Sequence, residues 1–167
     1  YLDEYSNAIS EFRQSMEMLN EEYLNNEKYR YIGMCHYYLK NYDSSNVYLS
    51  RSYRFFEQDS IKLLSIIPFK ILSDLKIKKK TEIDQYLKDF RIIISENDPY
   101  PDDYILSSYA IYKALIAIGE NAEASGHLEN AYFEVKSRSK NIKEKKDRNK
   151  FLKTNLHKAI TTAWKDK

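Results

Sequence analysis

The sequence predicts an all-α fold of about eight helices, and two observations lead to that class. The 167 residues include only three glycines and three prolines, so the chain has few of the turn residues that hairpins, sandwiches and barrels need. Apolar residues recur at spacings of three and four along most of the chain, which is the period of an amphipathic helix. A chain of this length, 43% of it hydrophobic, is ordinarily one domain with a buried core.

Three helices are predicted in the N-terminal third. The first carries Ile9 and Phe12 on one apolar stripe. A second is expected from about Asn26 to Leu39. A short polar break follows, in which Asp43 is a suitable N-cap for the third helix.

Two more helices are predicted in the middle of the chain. Asp59 is the expected N-cap of the fourth helix, and Pro68 lies inside it, where it should kink the helix or remove one backbone hydrogen bond. The basic run Lys76–Lys80 then connects to a fifth helix, which Thr81 and Asp84 open in the manner of a capping box.

The C-terminal part begins with a predicted loop at residues 96–103, since ENDPYPDD holds two of the three prolines. A sixth helix should run from about Asp103 to Ile118, followed by Gly119, a residue type typical of the position after a helix C-terminus. A seventh is expected from about Ala122 to Ser139, and a final helix carries Trp164.

Several of these helices share a spacing of residue types, which indicates an internal repeat. Four residues of the first helix recur in the third at an offset of 37, where Tyr5, Ala8, Phe12 and Ser15 correspond to Tyr42, Ser45, Leu49 and Ser52. The segment before Tyr42 supplies Tyr29-x-x-Ile32-Gly33-x-x-His36. Together these residues resemble the tetratricopeptide pattern W-x-x-L-G-x-x-Y followed by A-x-x-x-F.

Two more copies extend the resemblance over nearly the whole chain. One near the C-terminus carries Ile111-Tyr112, Leu115, Gly119, Ala124, Leu128 and Ala131, and a divergent one carries Phe69, Leu72, Phe90 and Ile93. The resemblance implies a right-handed solenoid of antiparallel helix pairs in one domain, residues 1–167. The expected pairs are residues 26–57, 58–97 and 102–140, with residues 1–25 as the second helix of a truncated repeat and 145–165 as a capping helix.

The packing of two helices in such a pair explains why a glycine stands at position 33. A side chain at the closest approach of two antiparallel helices would force them apart, so a glycine there favours contact although it costs about 1 kcal/mol of helix propensity. We therefore expect Gly33 to be a packing residue that faces Ser45 on the next helix.

The C-terminal stretch has a resemblance of its own. It is similar to the closing segment of helical-repeat regions in large bacterial signalling and regulatory proteins, carried here by Ala131-Tyr132, Arg138, Ile142, Arg148, Phe151-Leu152 and Ala163-Trp164. That resemblance implies a place near the end of a multidomain bacterial chain whose catalytic modules lie elsewhere. The start without methionine also favours a fragment of a longer chain.

One face of the predicted solenoid is the expected partner-binding surface. If Tyr29 and Ile32 point into their helix pair, a set of aromatic, basic and apolar residues lies on the concave side, and a peptide with acidic groups could bind there. The set consists of Arg30, Met34, Tyr37, Tyr38, Ile66, Lys70, Tyr109, Lys113 and Ile116. The chain has 16 tyrosines, and a coding bias is an alternative explanation for part of that number.

Motifs for catalysis and cofactors are not found in the sequence. Three scattered glycines cannot form a phosphate-binding loop, and the histidines have no metal-ligand spacing, so we expect no enzyme, no cofactor and no metal. The single cysteine, Cys35, excludes an internal disulfide and fits a reducing, cytoplasmic compartment.

The charge of the chain limits the kinds of partner that we expect it to bind. The net charge is +2, which gives no general argument for nucleic acid or membrane binding. The run Lys76–Lys80 has no aromatic residue within it, and the run Lys143–Lys150 is broken by Glu144 and Asp147, so nucleic acid is the less favoured partner. We expect a protein partner, a peptide or another domain of the same chain, with self-association possible at an unpaired end. The alternative is a ligand-sensing or nucleic-acid-binding regulatory module of a signalling protein.

Overall fold

A computed structural model describes residues 2–19, 21–96 and 104–167. Over these ranges the chain forms nine α-helices and no strand, which confirms the predicted all-α class. The helices are α1 (Leu2–Met18), α2 (Glu22–Tyr38), α3 (Tyr42–Phe55), α4 (Ser60–Lys76), α5 (Ile83–Glu96), α6 (Tyr104–Ile118), α7 (Asn121–Asn141), α8 (Lys145–Leu152) and α9 (Asn155–Lys165). The predicted loop at residues 96–103 and the predicted helix start at Asp103 lie outside the described residues, apart from Glu96, which ends α5.

One helix more than expected arises near the C-terminus. The segment predicted as a capping helix over residues 145–165 is two helices, because α8 ends at Leu152 and α9 begins after Thr154. The Thr154 hydroxyl accepts a hydrogen bond from the backbone N–H of His157 at 3.3 Å and so caps the new helix. The sequence prediction missed this break because apolar residues stand on both sides of Thr154, at Phe151, Leu152 and Leu156, and continue the helical period.

The chain divides into two compact units, unit 1 (Tyr1–Pro99) and unit 2 (Tyr100–Lys167). In unit 1, consecutive helices from α1 to α5 pack against each other, and α4 also touches α2. Short connections make consecutive helices antiparallel, since three residues between α2 and α3 leave room only for a tight reversal. The placement of residues 1–167 in a single domain stays a prediction.

The α2–α3 contact confirms the role predicted for Gly33. A Cβ atom at this position would lie 2.6 Å from Cγ of Leu49, a side chain with no exposed surface. The Ser45 hydroxyl donates to the carbonyl oxygen of Gly33 at 2.8 Å, and the Ser52 hydroxyl donates to that of Asn26 at 3.0 Å. Because these serines of α3 are small, the backbone of α2 can lie close to them. Its carbonyl oxygens accept hydrogen bonds from the serine hydroxyls, which burial would otherwise leave unpaired.

Helices α2, α4 and α6 end in the same way, and this shared ending is a structural repeat. Each is followed by a residue in the left-handed region, Lys40 (φ 62°), Lys78 (φ 61°) or Gly119 (φ 91°). The residue after each one donates its N–H five residues back, to His36, Asp74 or Leu115, at 2.9 Å in all three cases. This is the Schellman motif, which turns the chain sharply at a helix C-terminus.

Unit 2 is built around α7, which packs against α6, α8 and α9. Its core consists of Ile105, Leu128, Ala131, Val135 and Ile160. Tyr132 on α7 stacks on Trp164 on α9 with ring centroids 4.8 Å apart and planes 12° apart, so aromatic packing fixes the last helix against the unit.

Candidate interaction grooves

Four of the nine residues predicted for a partner-binding face are buried. Arg30 and Met34 are 3% and 4% exposed, and Ile66 and Lys70 are 0% exposed. The expectation that these side chains line an open surface is therefore wrong. The physical reason is that α4 packs against α2, α3 and α5, and its residues are buried continuously from Leu63 to Asp74.

Arg30 links two helices instead of facing a partner. Its guanidinium donates to the Ser65 hydroxyl on α4 at 2.5 Å, to the Glu27 carboxylate at 2.8 Å and to the Tyr31 hydroxyl at 2.7 Å. Glu27 also pairs with Lys62 at 2.8 Å. The group joins α2 to α4 through charge-assisted hydrogen bonds, which are stronger than neutral ones.

Lys70 forms a fully buried ion pair within α4. Its Nζ lies 2.8 Å from the Asp74 carboxylate, and neither side chain is exposed. The side-chain amide of Asn46 on α3 also donates to Asp74. Burial lowers the pKa of Lys70 and raises the pKa of Asp74, while the attraction between the two charges opposes both shifts. The pair holds α3 against α4 and offers no charge to the solvent.

Tyr37 and Tyr38 are half-buried and pack within unit 1. Tyr38 stacks on Tyr5 of α1 with ring centroids 5.0 Å apart. Both rings also contact Phe69 of α4, at 5.5 Å from Tyr37 and 5.8 Å from Tyr38. These tyrosines fill the space between helices. Their role in partner binding stays a prediction.

A groove in unit 2 contains two of the remaining predicted residues. The α6–α9 groove lies over α7, has a cavity volume of about 660 Å³ and is lined by Tyr109, Tyr112 and Ile116 from α6, Leu128 from α7, and Lys158, Ala159, Ala163 and Lys167 from the C-terminal segment. The rings of Tyr109 and Tyr112 stack with centroids 5.6 Å apart, and Ile116 is 45% exposed. The groove therefore joins an aromatic and aliphatic wall to a basic rim.

The ninth predicted residue, Lys113, lies beside this groove. Its Nζ is 5.2 Å from the centroid of the Tyr109 ring. Burial lowers the pKa of the Lys113 ammonium. Lys113 therefore packs against Tyr109 beside the groove. The cations that line the groove itself are Lys158 and Lys167. Sequence reasoning missed these two because it treated the last helix as a cap, although α9 carries a spaced pair of small residues, Ala159 and Ala163.

A second groove lies in unit 1, and none of the nine predicted site residues lines it. The α3–α5 groove has a cavity volume of about 610 Å³, and its lining includes Tyr53, Tyr86 and Asp89. The Tyr53 hydroxyl donates to Asp89 at 2.7 Å, and the Tyr86 hydroxyl donates to Glu82 at 2.6 Å. Burial and these carboxylates raise the pKa of both phenols well above the usual range, so both hydroxyls remain donors.

Cys35 and His36 are neighbours whose surroundings favour their neutral forms. Burial raises the pKa of the Cys35 thiol and lowers the pKa of the His36 imidazole. The His36 ring stacks on Tyr48 with centroids 5.4 Å apart. Among the described residues, no group of three histidine, cysteine or acidic side chains is placed to hold a metal ion. In the same part of the chain, no helix combines the length and apolar character needed to cross a membrane.

No family model, curated protein or solved structure matches this chain. The repeat and the two grooves therefore rest on the chain's own residues and geometry.

Proposed function

We propose that the chain is a non-catalytic protein-interaction module with tetratricopeptide-like helix pairs, which binds a segment of a partner protein or of a neighbouring domain. The observation that carries the proposal is the α6–α9 groove. It combines the predicted residues Tyr109 and Ile116 with a basic rim of Lys158 and Lys167. Aromatic anchors surrounded by charged rims are typical of protein-binding surfaces.

The shape and charge of the groove indicate the kind of segment that it takes. Ala159 and Ala163 are small and lie one helical turn apart, so the backbone of a bound segment can approach α9 closely. Asp166 is the acidic residue on the groove beside two lysines, so the rim is net basic. A segment with an apolar or aromatic residue flanked by carboxylates complements both features.

The shared helix endings support the tetratricopeptide-like part of the proposal. Identical Schellman motifs after α2, α4 and α6 indicate three related helix pairs, although only Gly119 has the residue type typical of that position. The resemblance of the C-terminal stretch extends the proposal to the closing repeat region of a multidomain bacterial regulatory protein in the cytoplasm.

Site-specific photocrosslinking tests the proposal. A photoreactive benzoylphenylalanine at position 116 should give a discrete adduct in the source cell's lysate, and the same group at position 47 should not give it. Val47 is a matched position because it is exposed and is not part of the lining of the α6–α9 groove.

Charge reversal then separates the groove from the general surface. The substitutions Lys158→Glu and Lys167→Glu should abolish the adduct at position 116. The substitutions Lys145→Glu and Lys146→Glu should leave it intact, since they make the same charge change at exposed residues of the same unit. An adduct that survives the first pair, or the lack of any adduct at position 116, would contradict the proposal.

Ligand sensing is the second candidate function, and the α3–α5 groove favours it because polar groups converge there. Nucleic-acid binding has less support. In the first basic run, Lys79 pairs with Glu82 at 3.1 Å. In the second, Arg148 donates to the carbonyl oxygen of Ile142 at 2.8 Å, so the guanidinium holds the connection between α7 and α8.

A further inference from the structure

The α3–α5 groove of unit 1 has one wall from each helix. Tyr53 and Glu57 come from the α3 side, Gln85 and Asp89 come from α5, and Leu63 of α4 is buried at the base. All of these residues belong to unit 1. Its cavity volume of about 610 Å³ is in the range of sites that hold a side chain or a small ligand.

Uncharged donors hold the Asp89 carboxylate of this groove in place. Tyr53 donates to Oδ2 of Asp89 at 2.7 Å, and Gln85 donates to Oδ1 of the same carboxylate at 2.7 Å. The ring of Tyr53 packs edge-on against that of Tyr86 with centroids 5.1 Å apart. The Asp89 carboxylate is therefore held in one orientation beside an aromatic ring, by donors that carry no charge.

The groove carries a net negative charge. Its lining holds the carboxylates of Glu57, Glu82 and Asp89 and the cations of Arg54 and Lys79. Lys79 pairs with Glu82 at 3.1 Å, which leaves Arg54 against the two other carboxylates. Burial and the hydrogen bond to Asp89 raise the pKa of Tyr53, and the negative charges of Asp89, Glu57 and Glu82 raise it further.

We infer that the α3–α5 groove binds the guanidinium group of an arginine in a partner segment, with Asp89 and Glu57 as acceptors and the Tyr53 ring as a packing surface. A guanidinium is planar, donates in a fork that matches carboxylates, and stacks on aromatic rings, whereas a lysine ammonium is a strongly hydrated point charge. The inference is independent of the α6–α9 groove, because the two sites share no residue.

Calorimetric titration of the whole chain with synthetic peptides tests the inference. The probe is a short amidated glycine–serine peptide with two arginines. Two matched peptides replace the arginines by lysine or by citrulline, which keeps the shape and removes the charge. The arginine peptide should bind, the lysine peptide should bind about tenfold more weakly, and the citrulline peptide should show no measurable binding.

Three variants identify the site. Asp89→Asn should weaken binding of the arginine peptide about tenfold, since it removes the charge but keeps an acceptor for Tyr53. Asp147→Asn is the control, because it makes the same charge change at an exposed residue of unit 2. Arg54→Ala should strengthen binding, because a like charge is removed from the groove. Far-UV circular dichroism verifies that each variant keeps its helices.

Several results would overturn the inference. The first is that the arginine peptide fails to bind or binds no better than its citrulline counterpart. The second is that Asp89→Asn has no more effect than Asp147→Asn. The third is that Arg54→Ala weakens binding of the arginine peptide, because removal of a like charge from a guanidinium site should strengthen it.

Discussion

Replacing Gly33 by alanine should destabilise the protein, although the residue lies inside a helix where alanine is intrinsically preferred. The added Cβ would lie 2.6 Å from Cγ and 2.9 Å from Cδ2 of Leu49, and 3.2 Å from its backbone nitrogen. Leu49 has no exposed surface, so its side chain cannot rotate out of the way into solvent. The close approach to a backbone atom means that α2 and α3 themselves must move apart.

The change in the free energy of unfolding caused by Gly33→Ala is the sum of two opposing contributions. Alanine gains about 1 kcal/mol of helix propensity over glycine, and overpacking a core contact costs about 1–3 kcal/mol. The cost should fall at the upper end because the neighbouring atoms are fixed, so we expect a net loss of about 1–2 kcal/mol in the free energy of unfolding. Urea unfolding followed by far-UV circular dichroism measures this difference.

Gly126 provides the matched control. It also lies inside a helix, but a Cβ there would meet nothing within 4 Å. Gly126→Ala should therefore stabilise the protein by about 1 kcal/mol or less. In addition, Leu49→Ala should cost less in the Gly33→Ala background than in the wild type, because one change relieves the other. A Gly33→Ala protein at least as stable as the wild type would refute the close-packing argument.

Three further predictions concern the helix ends, the buried pair and histidine. Lys40→Gly should raise the free energy of unfolding by about 0.5–1 kcal/mol in urea unfolding, because Lys40 has a φ of 62°; a decrease would contradict the strain. Lys70→Met should lower it by about 3–5 kcal/mol, since Asp74 would remain buried without its partner, and the double change with Asp74→Leu should recover part of the loss. Burial lowers the pKa of His36 from 6.5, so below pH 6.5 the unfolded chain takes up a proton before the folded one does. The free energy of unfolding should therefore be highest above pH 6.5 and should fall as the pH is lowered below that value. His36→Gln should flatten that pH profile in thermal unfolding, and an unchanged profile would refute the assignment.

The helical architecture could be predicted largely because its signals are local. The apolar period, the N-cap Asp59 and the close-packing Gly33 each depend on a few neighbouring residues, and Asp59 accepts the expected hydrogen bond from the backbone N–H of Lys62. The left-handed residues Lys40 and Lys78 could not be found in this way, because lysine carries no preference for that conformation. Tertiary packing selects the turn there and overrides the local cost.

The candidate sites were harder to predict because burial depends on neighbouring helices. Helical phase placed Arg30 and Lys70 on one face of their helices, but it could not show that α4 is covered on several sides. A partial signal existed, since Asp74 follows Lys70 by one helical turn and an ion pair at that spacing is common. The α3–α5 groove is lined by residues that are far apart in the sequence, and no sequence pattern predicts that they lie close together.

We propose that the α6–α9 groove binds an acidic partner segment. The most direct measurement is the affinity of a short amidated peptide with one tryptophan flanked by glutamates, compared with the same peptide carrying glutamines. The glutamate peptide should bind more tightly, and Lys158→Glu with Lys167→Glu should weaken it about tenfold or more, whereas Lys145→Glu with Lys146→Glu should not. Equal affinity for the two peptides, no binding of either, or equal effects of the two pairs of substitutions would contradict the claim.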